Sequence, residues 1–151
     1  MIGRCLCGAV KFEADVRNRG LYQCHCSLCR RQSGTGSNVA TIVPLASFRW
    51  ISGSELVSSW VKDTGFRSDF CSRCGSPVPN PVGGADHVWV PAGLLEEPAE
   101  LRVVAHLHVG SAATWDAPPP SGLVYAEGPT NEEFGAALRL GTPPKGKREA
   151  P

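Results

Sequence analysis

Charge is scarce in this chain: only 19% of its 151 residues are Asp, Glu, Lys or Arg, and they leave a net charge of +1. Nucleic acid is met by clustered Lys and Arg, so this composition offers it no electrostatic footprint. The one basic run, Lys145-Gly146-Lys147-Arg148, is short and terminal. Long hydrophobic runs are missing too. The longest, Val88 to Leu95, falls far short of the roughly 20 residues a membrane-spanning helix needs. No apolar secretory core follows Met1, because Arg4 and Cys5 come almost at once. A cytoplasmic, reducing location is the resulting expectation, with neither membrane nor nucleic acid as partner. No Ser/His/Asp triad, phosphate-binding glycine loop or dinucleotide fingerprint is found, and Gly34-Thr35-Gly36 alone is too little.

What remains is a globular composition, 42% hydrophobic, at a length that suits one domain with a real core. That domain is expected over residues 1–141, with 142–151, rich in Pro and Lys, as a disordered tail. Seventeen Gly and 13 Pro interrupt the chain every few residues and leave little room for helical periodicity. Alternation predicts strands over Ala9–Ala14, Val39–Val43, Phe48–Ile51, Leu56–Val61, Val88–Val90 and Leu101–Val109. In the last of these, Arg102, His106 and His108 fall on one face. Only Asn131–Leu140 reads as a helix. The four tryptophans, Trp50, Trp60, Trp89 and Trp115, are expected in the core, with Trp115-Asp116 also placed to line a pocket from a loop.

Cysteine is the exception to this sparseness. There are seven, in three groups: Cys5-x-Cys7, Cys24-x-Cys26-x-x-Cys29 and Cys71-x-x-Cys74. A reducing compartment argues against disulfides. A Cys-x-x-Cys-Gly turn folds two thiolates toward one metal ion, the glycine allowing the tight backbone and nearby amides reaching the sulfurs. Zinc takes four ligands, so two pairs and a triplet divide as four plus three with no cysteine left over. The residues alone leave the grouping open. One metal with three ordinary buried cysteines is the competing reading, since free Cys is a common core residue. Joining the first pair to the last leaves the triplet intact and staples the first strand to a distant loop.

Three runs carry a family resemblance. They are Gly3-Arg4-Cys5-Leu6-Cys7-Gly8-Ala9-Val10-Lys11-Phe12, Cys24-His25-Cys26-Ser27-Leu28-Cys29-Arg30 and Phe70-Cys71-Ser72-Arg73-Cys74-Gly75-Ser76. Together with Arg31-Gln32-Ser33-Gly34, Phe48-x-Trp50, His106 and Trp115-Asp116, they resemble the glutathione-dependent formaldehyde-activating enzyme family, also called CENP-V/GFA, over roughly residues 3–116. The resemblance implies a mostly β, β-tent fold of coiled antiparallel sheets stapled by zinc. It implies two zinc ions, a structural one on Cys5, Cys7, Cys71 and Cys74 and a catalytic one on Cys24, Cys26 and Cys29. The implied activity is a carbon–sulfur lyase whose partner is a small-molecule thiol, possibly glutathione. The chain departs from the family in starting almost at Cys5 and in the stiff stretch Pro77-Val78-Pro79-Asn80-Pro81.

An open three-cysteine zinc site makes chemical sense by itself. It keeps one position for a substrate thiol, which loses its proton on binding. Three thiolates on a divalent ion give net −1, which Arg30 and Arg31 are placed to offset unless they form an ordinary solvated pair. His25, between two ligands, either contacts substrate or fixes the loop. His106 and His108 read as proton carriers or as decoration of an exposed face. The competing function is a non-catalytic zinc protein of the same fold that binds a partner.

Overall fold

A computed structural model describes residues 1–17, 19–82, 84, 86–96, 100–118 and 123–139. The expected tail lies outside these residues. In chain order the strands are β1 (Ile2–Arg4), β2 (Lys11–Ala14), β3 (Gly20–Cys24), β4 (Asn38–Pro44), β5 (Phe48–Ser52) and β6 (Val57–Val61). There follow β7 (Arg67–Cys71), β8 (Pro77–Val78), β9 (Asn80–Val82), β10 (His87–Pro91), β11 (Arg102–Leu107) and β12 (Leu123–Val124). Two helices complete the set, α1 (Ser27–Ser33) and α2 (Asn131–Arg139).

The strands form three sheets: β1-β2-β5, β12-β11-β3-β4-β10-β9, and β6-β7-β8. The protein is thus mostly β with a short C-terminal helix, as expected. The pairings are antiparallel except on either side of β11, which runs parallel to both β3 and β12. Parallel neighbours need a long crossover rather than a tight turn, and here most of the chain separates β3 from β11.

Burial explains which strands were easy to read. In β2, Phe12 and Ala14 point inward while Lys11 is exposed, so polar and apolar residues alternate. In β11, Val104, Ala105, His106 and Leu107 are all buried. That strand lies between β3 and β12 with α2 packed on it, and a bulge between Val103 and Ala105 shifts its register. Both of its faces are covered, so the expected alternation fails. The Pro77–Pro81 stretch still forms β8 and β9, each a short outer strand of its sheet, where proline is tolerated.

The helix α2 closes the six-stranded sheet. Thr130 and Glu133 cap it reciprocally: the Thr130 amide donates to Glu133 Oε2 at 2.8 Å, and the Glu133 amide to Thr130 Oγ1 at 3.3 Å. Ala137 and Leu138 face the sheet, and the Phe134 ring meets Tyr22 edge-on at 4.9 Å. A second cluster gathers Phe12, Val43, Val88, Val90 and Leu95. Of the four tryptophans, only Trp89 is fully in the core. Trp50 is half-buried and packs edge-on against Phe12 and Phe48, whereas Trp60 and Trp115 are 53% and 72% exposed. Trp60 lies on β6, an edge strand, and Trp115 in a loop, so neither has a second layer over it.

No helix among the described residues is long and apolar enough to cross a membrane.

Candidate metal centres and the adjoining cleft

The seven sulfurs form two clusters. Within each one, the sulfur atoms lie within 4.8 Å of one another: Cys5, Cys7, Cys71 and Cys74 in the first, Cys24, Cys26 and Cys29 in the second. Four sulfurs arranged tetrahedrally about a zinc at 2.3 Å stand about 3.8 Å apart. The first cluster shows Cys5 to Cys7 at 3.5 Å and Cys7 to Cys71 at 3.9 Å, a spacing that fits such an ion.

Two matching turns build the first cluster. The amide of Gly8 donates to the Cys5 carbonyl at 2.9 Å, and that of Gly75 to the Cys71 carbonyl at 2.8 Å. Both glycines take φ near +74°, where side chains are strained. The Val10 amide points at Cys5 Sγ at 3.3 Å. Ser76 ties the turns together: its hydroxyl oxygen accepts from the Leu6 amide at 3.0 Å and lies 3.4 Å from Cys74 Sγ. Because Cys5 and Cys7 follow β1 while Cys71 and Cys74 close β7, the cluster joins the first and third sheets.

The second cluster sits where β3 gives way to α1. Cys24 ends the strand, Cys26 caps the helix by accepting from the Cys29 amide at 3.4 Å, and Cys29 lies one turn in. Gly34 stops the helix in the left-handed region, and Arg30 and Arg31 occupy the last turn, where the helix dipole favours cations. Arg31 is exposed. Arg30 is half-buried, with its Nε enclosed and without a partner among the described residues.

The thiol acidities express the crowding of sulfur. Cys24 is lowered to about 6, chiefly because Cys29 donates a hydrogen bond to it. Cys29 is correspondingly pushed far up by the neighbouring Cys24, then by burial and Cys26. In the other cluster, the Ser76 hydroxyl and amide lower Cys74 to about 6. The Ala9 amide favours the Cys7 thiolate, yet the adjacent sulfurs, Cys5 first, push that thiol up to about 11. Burial opposes ionisation of Cys5, but the Val10 amide, Cys7 and Cys71 outweigh it and lower its pKa. Each cluster therefore concentrates more negative charge than protons share well. A divalent cation suited to sulfur answers that need, so both donor sets fit zinc.

His25 is fully buried, and its ring turns inward rather than toward the surface. Its Nδ1 lies 2.7 Å from Asp116 Oδ2, and its Nε2 lies 3.3 Å from His106 Nδ1. A carboxylate oxygen accepts, so the contact with Asp116 places a proton on His25 Nδ1. The His25 amide also donates to the Leu107 carbonyl at 2.9 Å. The Cys24–Cys26 turn is thus fastened to β11 and to the loop of Asp116, an outer hydrogen-bond layer of the kind that orients metal ligands. His106 is one of the buried partners, not an exposed one. Burial, with His25 beside it, holds its pKa below the usual imidazole value. His108 leaves the strand altogether, at φ +56°, and so shares no face with His106. Asp116 is the member of this group that the sequence reading placed only near a pocket. It stands 91 residues from His25, and no local pattern links the two.

Among the described residues no fourth His, Cys, Asp or Glu joins the triplet. Beside it a cleft of about 390 Å³ opens, lined by Cys29 together with Tyr22, Asn38, Phe66, Asn80 and Trp89 among others.

A mostly β frame with one cluster of four sulfurs and one of three, each able to hold a metal ion, marks out the class of protein. The family model described as glutathione-dependent formaldehyde-activating enzyme matches residues 1–111, and the chain belongs to that family. The fold is similar to the crystal structure of a Rhodobacter sphaeroides protein solved as a structural-genomics target. That likeness has 26% identity and a TM-score of 0.54, and covers 64% of this chain and 89% of that one. Comparison with curated proteins found no match.

Proposed function

We propose that this protein is a zinc-dependent carbon–sulfur lyase acting on a thiol–aldehyde adduct, S-hydroxymethylglutathione or a similar compound. Cys24, Cys26 and Cys29 would hold one zinc, and Cys5, Cys7, Cys71 and Cys74 a second, structural one. The observation that carries this reading is that three sulfurs cluster with no fourth ligand among the described residues, and that one of them, Cys29, lines a cleft. A scaffold has no need of an incomplete ligand set beside a cavity. Family membership supports the same substrate chemistry.

A zinc in the open site would supply Lewis-acid stabilisation of a substrate sulfur as thiolate. In the lyase direction the carbon–sulfur bond of the hydroxymethyl adduct breaks, its hydroxyl gives up a proton, and the products are aldehyde and thiol. The protein's own residues hold the geometry. Asp116 and His106 fix His25, and with it the turn carrying Cys24 and Cys26. Arg30, half-buried in the last turn of α1, offsets the negative charge that a fourth sulfur adds.

The test is a panel of glutathione, cysteine and mercaptoethanol, each with formaldehyde, followed by NMR of the hydroxymethyl adduct. The zinc-loaded protein should speed equilibration of at least one adduct, and Cys24→Ser and Cys26→Ser should abolish the effect. Indifference to every adduct, with both zinc ions in place, would leave a non-catalytic zinc protein as the better reading.

A further inference from the structure

Among the described residues the three sheets have six edges, and five of them are blunted. β1 is three residues long and carries Arg4, β5 carries Arg49, β8 and β9 contain proline, and β12 has two residues. Short length, charge and proline are the devices by which an edge strand avoids further pairing. The sixth edge, β6, has none of them. Its five residues are Val57-Ser58-Ser59-Trp60-Val61, and the last two are 53% and 56% exposed.

The hydrogen bonds fix which backbone groups this edge offers. On the β7 side, the Ser72 amide donates to the Leu56 carbonyl at 2.8 Å, and the Lys62 amide to the Phe66 carbonyl at 2.8 Å. Bonded pairs alternate along an antiparallel ladder, so Leu56, Ser58, Trp60 and Lys62 are the residues bonded across to β7. Ser59 and Val61 turn their backbone groups the other way, where no strand lies among the described residues. Two donors and two acceptors thus flank Trp60 along an uncharged edge.

We infer that β6 pairs antiparallel with β6 of a second copy about a two-fold axis at Trp60, joining the two β6-β7-β8 sheets into one. The backbone groups choose this register. With Trp60 opposite Trp60, Ser59 of each copy faces Val61 of the other, and all four outward groups of each copy are used. The two indole rings then meet at a non-bonded pair, where side chains come closest. Charge agrees, because Lys62 falls opposite Ser58 and Asp63 opposite Val57, so no like charges meet. Centring on Ser59 would instead set Glu55 against Asp63. Centring on Ser58 would set Val61 against Glu55, which lies in a turn before the strand. Because the same edge supplies both partners, the contact closes after two copies.

Sedimentation velocity of the zinc-loaded protein over a concentration series should show twice the chain mass at high concentration. Ser59→Pro removes an outward amide and leaves the β7 side intact, an exchange that an edge strand tolerates. The axis doubles the loss to two hydrogen bonds, so dimerisation should weaken about 10- to 100-fold. Trp60→Lys, at an exposed position, should weaken it as much by setting two ammonium groups together, which keeps the test valid if the proline variant misfolds. Mild oxidation reads the register, with the wild type as the blank. Trp60→Cys should form an interchain disulfide, since Cα atoms of a non-bonded pair stand about 4.5 Å apart, and Ser58→Cys should not. A monomer at every concentration, or a dimer indifferent to both Ser59→Pro and Trp60→Lys, would overturn the inference. Crosslinking through Ser58→Cys in place of Trp60→Cys would overturn the axis, and with it this pairing.

Discussion

Behind the Cys24–Cys26 turn, His106 is buried against His25 at 3.3 Å, which makes an acid-sensitive contact. Burial first, and His25 second, lower its pKa, with Asp116 opposing. The unfolded chain protonates this histidine near 6.5. The native state resists, so it binds fewer protons in that range. The contribution is therefore complete above about pH 6.5 and is lost as the pH falls toward the lower native value. His106→Gln keeps a donor for His25 and removes the titration. Its melting temperature should fall less between pH 7.5 and 5.5 than that of the wild type. Equal falls would place the acid sensitivity elsewhere, in the cysteine ligands. At this scale the seven cysteines were legible because ligand spacing is local, two or three residues within each group. The His25–Asp116 pair was not, because only the folded chain brings together two residues 91 apart.

The elements divide along the same line. Strands with one covered face, β2 and β5 among them, were legible from their alternation. The helix α1 was not, since seven residues are too few for a periodic pattern, and a cysteine cap and Gly34 define it instead. The docking of α2 depends on Gly20 of β3, which meets the Leu138 backbone so closely that a methyl group would overlap the carbonyl. Backbone cannot swing aside as a flexible side chain does. Gly20→Ala should therefore destabilise by about 1–3 kcal/mol, although alanine otherwise suits a strand better than glycine. For a chain of this size that is roughly 2–4 °C in melting temperature per kcal/mol. An unchanged melting temperature would mean that α2 does not rest on β3 as described.

Taken whole, the molecule has small cores, and the one around the closed cluster is the thinnest. Only Val10 and Val78 lie fully buried there with Cys5 and Cys71. With so little fully buried apolar surface there, a zinc ion held by the closed cluster would add folding free energy between the first and third sheets. The purified protein should hold two zinc ions per chain. Cys71→Ser should unfold or insolubilise it, whereas Cys26→Ser should lose one zinc and keep its circular dichroism. Equal collapse of both variants would contradict the division into a structural and an open site.

The open position can be watched directly by replacing zinc with cobalt and titrating glutathione and mercaptoethanol against the sulfur-to-cobalt absorption. A thiol entering as thiolate releases a proton, so its affinity should rise with pH until the thiol's own value of about 8.5 is approached. A fourth sulfur should intensify the band in the wild type, and Cys24→Ser or Cys29→Ser should abolish the response while the closed cluster's signal remains. A spectrum unmoved by either thiol at any pH would contradict an open metal position, and with it the proposed chemistry.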